Sequence, residues 1–434
     1  MARLLQTRTR MQERGLSHLL IYGDREHFGN LWWLSNFDPR FEEALLILGL
    51  DAPPLILVGN ECMAYLAISP LVASGEMRKE CFPPFSLLNQ PGGASRDLAE
   101  ILRSEGIGQN TRVGCAGWKS YGADAAMDLP GYVVDAARDA AGRHNLENAT
   151  DIFVHPGYGL RARCGATEIA FFERSNWKAS EALKRVLSGL RVGKSDSECL
   201  EAARYDGTPL SCHMTCKTGP HRISLASPRG DIVERGFPWS ANIGYWGSNI
   251  CRAGWVAKSE ADLPPQAQGY LEEFAVPYFQ AMAKWFELMR IGTLGGEIEA
   301  SIQHMLPYGE FGIFLNPGHL IHGEEWLSSP IYAGSTIPIA SGMMMQSDVI
   351  PSSKRFYSTR MEDGYAIADE DLRAAIRARF PDCFARCMAR RDFMANTLGI
   401  TLPEEVLPLS NLCGMVMPFV LAPNRILAAD RQEG

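Results

Sequence analysis

Apolar positions follow two different rhythms along this chain, and the change falls near residue 160. In the first part, short unbroken apolar runs predict buried strands: Leu19–Tyr22, Ala44–Gly49, Pro53–Gly59, Arg112–Gly117 and Gly131–Ala136. Asp51-Ala52-Pro53-Pro54 is a turn signal between the second and third. Residues 2–14 place Leu4, Leu5 and Met11 among charges, an amphipathic helix that Gly15 would end. Further helical segments are expected at about 60–68, 95–105 and 121–128. Strands alternating with helices predict an α/β domain over residues 1–160, with a largely parallel or mixed sheet.

The stretch 155–166, HPGYGLRARCGA, is rich in Gly and Pro and has no period. A long helix is expected after it, with Thr167 as N-cap and Gly193 as its stop. Helical patterns recur at 195–204, 265–290 and 295–306, separated by glycine-rich, strand-like segments. A last amphipathic helix follows Asp369, interrupted at Pro381. Residues 161–434 therefore read as an α+β domain, antiparallel strands with long helices against one face.

At 434 residues, two domains are the default expectation. A net charge of −8, with basic residues scattered, argues against a nucleic-acid surface. No stretch reaches the 18 or so apolar residues of a membrane span, and Met1–His18 is polar and basic with no apolar signal core. The eleven cysteines include no C-x-x-C pair. They read as reduced, mostly buried thiols of a cytoplasmic protein. Cys212, His213 and Cys216 are close enough to suggest zinc but lack a second ligand pair of recognisable spacing.

The chemistry concentrates between Asn316 and Asp363. Pro317-Gly318-His319 comes first. Asp348 follows 29 positions after His319, behind Gly342-Met343-Met344-Met345-Gln346-Ser347, and Arg360-Met361-Glu362-Asp363 closes the series. This order resembles the last three metal-ligand motifs of the methionine aminopeptidase, prolidase and creatinase superfamily, whose catalytic domain has the pita-bread fold. Residues 21–48, the long helix from 167 and the segment 244–254 extend the likeness over most of the chain. The resemblance implies an N-terminal α/β domain followed by a pita-bread domain. It also implies a dinuclear metal cage of two Asp, one His and two Glu, which would generate hydroxide at neutral pH. His319 would be the imidazole ligand. Asp348 would stand for the fourth ligand, one methylene short of the family's Glu, and Glu362 would be the fifth, oriented by Arg360 and Asp363.

Two ligands of that cage are missing. The first Asp should sit six residues after a glycine, and from Gly236 that position holds Asn242. The second belongs to a Gly-Tyr-x-x-Asp-x-x-Arg pattern. Counting from Gly244 it is Ser248, and counting back from Arg252 it is Asn249. Losing two negative charges leaves little to hold two dications. The family's His-x-x-Pro histidine is replaced by Leu225 in Leu225-Ala226-Ser227-Pro228, with His213 and His221 nearby. Creatinase works without metal but uses that histidine, so the chain departs from both modes.

What remains is an imidazole and carboxylates: His319, Asp348 and Glu362, with His322 and Glu324-Glu325 close in sequence. Such a set can hold a cationic group and move a proton. The expectation is a creatinase-like hydrolase of a C–N bond in a small cationic or amino-acid-like substrate. His319, Asp348 and Glu362 would be catalytic, and His322, Glu324, Arg360, Arg40, Asn242 and Asn249 would contact substrate. No cofactor is expected, though what remains could hold a single weakly bound divalent ion. The alternatives are an Xaa-Pro peptidase with a rebuilt metal site and a non-catalytic pita-bread binding module. The resemblance further implies a homodimer, in which the aromatic and charged segment 24–43, Arg40 included, would serve substrate recognition. Its aromatics have a plainer reading as core.

Overall fold

The computed structural model describes residues 1–93, 95–121, 126–220 and 225–429. The chain forms two compact units, Met1–Arg161 and Ala162–Gly434.

In the first unit, six strands make one mixed sheet: β1 His18–Gly23, β2 Ala44–Gly49, β3 Leu55–Val58, β4 Arg78–Cys81, β5 Val113–Ala116 and β6 Leu146–Asn148. Their order is β4-β3-β2-β1-β5-β6. β1 runs antiparallel to β2 and parallel to β5. The apolar runs form strands because both faces are covered: Leu20, Leu45, Ile47 and Leu57 pack with Ile101, Leu102, Val133 and Ala137 on one, and Leu19, Ile21, Leu46 and Ile56 are fully buried on the other. The first helix spans Ala2–Glu13, and Gly15 turns the chain with φ +70°. One expectation is overturned. Gly131–Ala136 is not a strand but opens a helix, Gly131–Ala141. Val133, Val134, Ala137, Ala140 and Ala141 are its buried residues, a 3.6-residue spacing that outweighs the β-branched pair. The helix expected at 121–128 falls partly outside the described residues, and 126–128 are not helical. In the segment 24–43, Trp33 and Phe37 are core. Arg40 is exposed, with its Nε 2.9 Å from Tyr65 Oη and 3.3 Å from Asp38 Oδ2.

In the second unit, eight strands form two antiparallel sheets: β7 Thr215–Thr218, β8 Pro238–Ile243, β9 Ile250–Trp255, β10 His319–Leu320, β11 Met344–Gln346, β12 Arg360–Glu362, β13 Gly364–Ile367 and β14 Val406–Pro408. The sheet orders are β12-β9-β8-β7 and β10-β11-β13-β14. Only Asp363 separates β12 from β13, so one extended run serves both sheets. The long helix spans Ala166–Gly189, starting two residues ahead of expectation and ending before the expected stop at Gly193. Its cap is Gly165 rather than Thr167, because Glu168 Oε2 accepts from Gly165 N at 3.0 Å. Its Ala179, Leu183 and Val186 bury Trp239, Ala241 and Ile243 of β8. Strand alternation therefore turns Ser240 and Asn242 to the opposite face. The tail forms two helices, Glu370–Arg379 and Pro381–Asn396, broken at Pro381. All eleven cysteines are free, and nine are buried. Among the described residues no helix is long and apolar enough to cross a membrane.

Candidate active site

On the face of the first sheet turned away from the long helix, Thr215, Asn242, Cys251 and Glu362 stand in one row across β7, β8, β9 and β12. The next row on that face is Lys217, Ser240, Ala253 and Arg360. From the second sheet, β10 and β11 pair His319 with Gln346. Gly318 lets β10 come this close: its φ is +106°, and a Cβ there would lie 2.9 Å from the Gln346 carbonyl.

His319 is fully buried and stacks on Trp326 at 4.1 Å between ring centroids. Its Nδ1 faces the Leu320 carbonyl at 3.1 Å. Its Nε2 lies 3.3 Å from Glu325 Oε1 and 3.9 Å from Asp348 Oδ2, ion-pair distances without hydrogen-bond alignment. Burial pushes the imidazolium pKa down, but the charges of Glu325 and Asp348 outweigh it and the net is raised. Burial raises the carboxyls of Asp348 and Glu362, each also raised by its carboxylate neighbours and only partly relieved by Arg360. Glu362 rises well above the usual range. Glu325 goes the other way: against burial, His319 holds it low. The site is an electronegative nest in which burial and mutual repulsion disfavour ionising Asp348 and Glu362 together, while the neighbouring carboxylates favour the charged form of His319.

His319 is expected to titrate above the ordinary value of about 6.5. Glu325→Gln should drop it below that value, because burial then has less charge to oppose it. Imidazole NMR titration of both proteins checks this, and an unchanged His319 pKa in the variant would refute the pairing.

The positions that lack aspartate are now specific. Ser248 spends its hydroxyl on its own turn, accepting from Tyr245 N and donating to Tyr245 O, each at 3.0 Å. Asn249 therefore holds the second Asp position, as counting from Arg252 gave. A directed relay runs through this face. Thr215 Oγ1 donates to Asn242 Oδ1. Asn242 Nδ2 donates to Asn249 Oδ1 at 3.1 Å, and Asn249 Nδ2 donates to Glu362 Oε1 at 2.8 Å. The oxygens that a dinuclear cage would need are accepting hydrogen bonds, and an amide N–H points at Glu362. A dinuclear metal cage does not fit these residues. A single ion does: among the described residues one group of ligand atoms lies together, from His319, Glu325 and Glu362, all within 4.8 Å of one another.

Other expected residues lie elsewhere. His322 is buried against the long helix, with Nε2 3.6 Å from Glu168 and the ring edge-on to Phe172. Of the acidic pair, Glu325 and not Glu324 joins the ligand group. Asp363 does not orient Glu362; it pairs with buried Arg252 at 2.7 Å. Arg360 Nε donates to Cys251 Sγ at 3.0 Å. Arg40 belongs to the first unit, and His221 lies outside the described residues. Sequence reading missed Gln346, whose Nε2 donates to the Asn249 carbonyl at 2.6 Å, and Cys212, whose sulfur accepts from Asn242 at 3.5 Å. Burial pushes the Cys212 thiol up to about 12, so it is not a nucleophile at neutral pH. A lone Gln ending the Met343–Met345 run was a signal for the first, and nothing in the spacing marks the second.

The chain matches a prolidase from Thermococcus sibiricus with a TM-score of 0.67 and 14% identity, over 94% of this chain and 96% of that one. The fold is the pita-bread fold. An Xaa-Pro dipeptidase from Bacillus anthracis shares it at a TM-score of 0.65 and 14% identity, over 86% of this chain and 95% of that one. So does the N-terminal domain of FACT complex subunit SPT16 from Cicer arietinum (chickpea), with a TM-score of 0.59 and 15% identity, over 85% and 93%. No protein-family profile and no curated protein sequence matches the chain. In this pita-bread domain the site residues come from the facing ends of both sheets.

Proposed function

We propose that the protein hydrolyses a carbon–nitrogen bond in a small substrate bearing a cationic group, without a dinuclear metal centre. The observation that carries this is Asn249 Nδ2 donating to Glu362 Oε1 at 2.8 Å, a neutral amide where the dinuclear cage would need a carboxylate. Asp348 and Glu362 cannot both ionise cheaply, so a cationic substrate group stabilises the pair by replacing the proton they share. The ionised carboxylate then takes a proton from the attacking water. His319, protonated against Glu325, donates one to the leaving nitrogen. The prolidase and dipeptidase likeness supports hydrolysis of this bond class. If one divalent ion binds, His319, Glu325 and Glu362 would hold it, and it would supply polarisation of water.

Guanidino acids, amidines and dipeptides form the substrate panel, assayed with and without chelator. His319→Ala should lower kcat about 100- to 10,000-fold. Metal analysis should find no more than one equivalent in the wild type, whereas Asn242→Asp/Asn249→Asp should gain a second. Two tightly held equivalents in the wild type, with activity lost to chelator, would sink the proposal. Ligand-induced stabilisation without turnover on any of the panel would instead favour a binding module.

A further inference from the structure

Cys383 and Cys387 stand four residues apart on the helix Pro381–Asn396. That spacing sets their Cβ atoms about 5–6 Å apart on one side of the helix. Both are buried in the core cluster that this helix shares with the start of the long helix, among Ile376, Phe384 and Leu407. A hydrogen bond from Cys387 holds the Cys383 thiol below its usual range, and the same contact with burial pushes Cys387 well above it. Elsewhere in the core, at Cys62, Cys115, Cys216 and Cys413, burial raises the thiol. Beside the pair, Glu173 of the long helix accepts from Arg386 Nε at 2.9 Å and from Arg390 Nη1 at 2.8 Å. Two guanidinia against one carboxylate leave an excess of one positive charge, and the charge of Arg390 acts on both thiols. Arg390 is buried, and its Nη2 has no hydrogen-bond partner among the described residues, an unusual state for a buried donor.

Two ligands at i and i+4 on one helix face can grip a single metal ion, and sulfur selects soft ions. Zinc would need about four ligands, and among the described residues no group of three ligand atoms includes either cysteine. Two thiolates alone suit a soft monovalent ion held in line between them. We propose that Cys383 and Cys387 bind one Cu(I) ion as a two-coordinate bis-thiolate. On binding, each thiol releases its proton to solvent and forms one S–Cu bond. The ion stays Cu(I), and the complex carries one negative charge. That charge matches the excess positive charge of Arg386, Glu173 and Arg390, and a thiolate gives Arg390 Nη2 an acceptor. The apolar surroundings keep out water and harder ligands. The pair shares no residue with the hydrolytic site.

The probe is Cu(I) itself, titrated anaerobically into the reduced full-length protein against bicinchoninate, a coloured chelator. The wild type should withdraw one equivalent and melt at a higher temperature once loaded. Cys383→Ser and Cys387→Ser should each weaken binding about 100- to 10,000-fold, the loss of a chelate. Cys164→Ala, in the same core cluster, and Cys81→Ala, in the first unit, should leave it unchanged. Zn(II) uptake should be the same in the wild type and in Cys387→Ser. If neither serine variant folds, copper X-ray absorption of the loaded wild type decides, with two sulfur neighbours and no nitrogen or oxygen expected. No retained equivalent, binding unchanged in both serine variants, zinc uptake that falls in Cys387→Ser, or a copper shell containing nitrogen or oxygen overturns the inference.

Discussion

Glu362→Gln is expected to lower turnover about a thousandfold and, at pH 8, to raise the melting temperature. Both effects come from the same buried carboxyl. Its folded pKa lies well above its unfolded value of about 4.3, chiefly through burial and then through the charges of Asp348 and Glu325. A group raised in this way contributes stability in full below its unfolded pKa, and that contribution is lost as pH rises through the folded pKa. Asp348 and His319 are also raised and act with the same sign. Glu325 is lowered, so its contribution is present above its unfolded value and lost as pH falls through the folded one. Gln is nearly isosteric, and its carbonyl still accepts from Asn249. The variant should therefore recover stability on the alkaline side, about 1–2 °C for each kcal/mol in a chain of this size, and nothing near pH 4. Thermal melts at pH 4, 6 and 8 and a kcat measurement check this. A variant that keeps turnover within tenfold, or melts lower than wild type at pH 8, contradicts the assignment of Glu362.

The largest loss of stability is expected at Arg252. Its side chain is fully buried and pairs with the equally buried Asp363 at 2.7 Å. Its Nη1 donates to the carbonyls of Cys251 at 2.6 Å and Glu362 at 3.2 Å, and its Nη2 to that of Leu412. One guanidinium thus ties β9 to the point where the chain passes from one sheet to the other. Arg252→Met strands the Asp363 carboxylate, which burial already pushes up against the relief from Arg252. The cost should be about 3–5 kcal/mol. Adding Asp363→Leu should restore part of it, because the buried charge goes with its partner. Urea midpoints of the single and double variants measure both, and an unshifted midpoint in Arg252→Met would refute the role given to this pair.

The readable parts of this fold are those where burial leaves the chain no alternative. Runs such as Ala44–Gly49, covered on both faces, make strands wherever they stand. β4 could not be read because Arg-Lys-Glu-Cys at a sheet edge has neither alternation nor an apolar run, and β6 because three residues carry no period. The Gly131–Ala141 helix was misread from its first six residues, where the β-branched pair precedes the alanines that complete the face. In the site, His319, Asp348 and Glu362 could be singled out because local motifs mark each: His319 opens β10, Asp348 follows β11 and Glu362 ends β12. Asp348 and Glu362 also have short links to His319 through the paired strands. The choice of Glu325 over Glu324 is made by a loop and has no period to reveal it. His322 turns toward Phe172 because β10 ends at Leu320 and the chain bends, which no residue count reports. Asn249 was separable from Ser248 only through the turn that consumes the serine hydroxyl.

The Thr215–Asn242–Asn249–Glu362 relay also shapes which sequences are reachable from this one. Each asparagine accepts from one neighbour and donates to the next, so the series has a direction and cannot be reversed at one position. An aspartate at 249 alone would set a second anion against Glu362 with no donor between them. An aspartate at 242 alone would turn an acceptor on the Asn249 carbonyl oxygen. Either single step passes through a buried like-charge or acceptor–acceptor contact that a proton or a captured cation would have to relieve, and neither step alone completes a site for two. The relay therefore works as a ratchet: a path toward two aspartates at these positions has a valley at its first step, whichever position moves first.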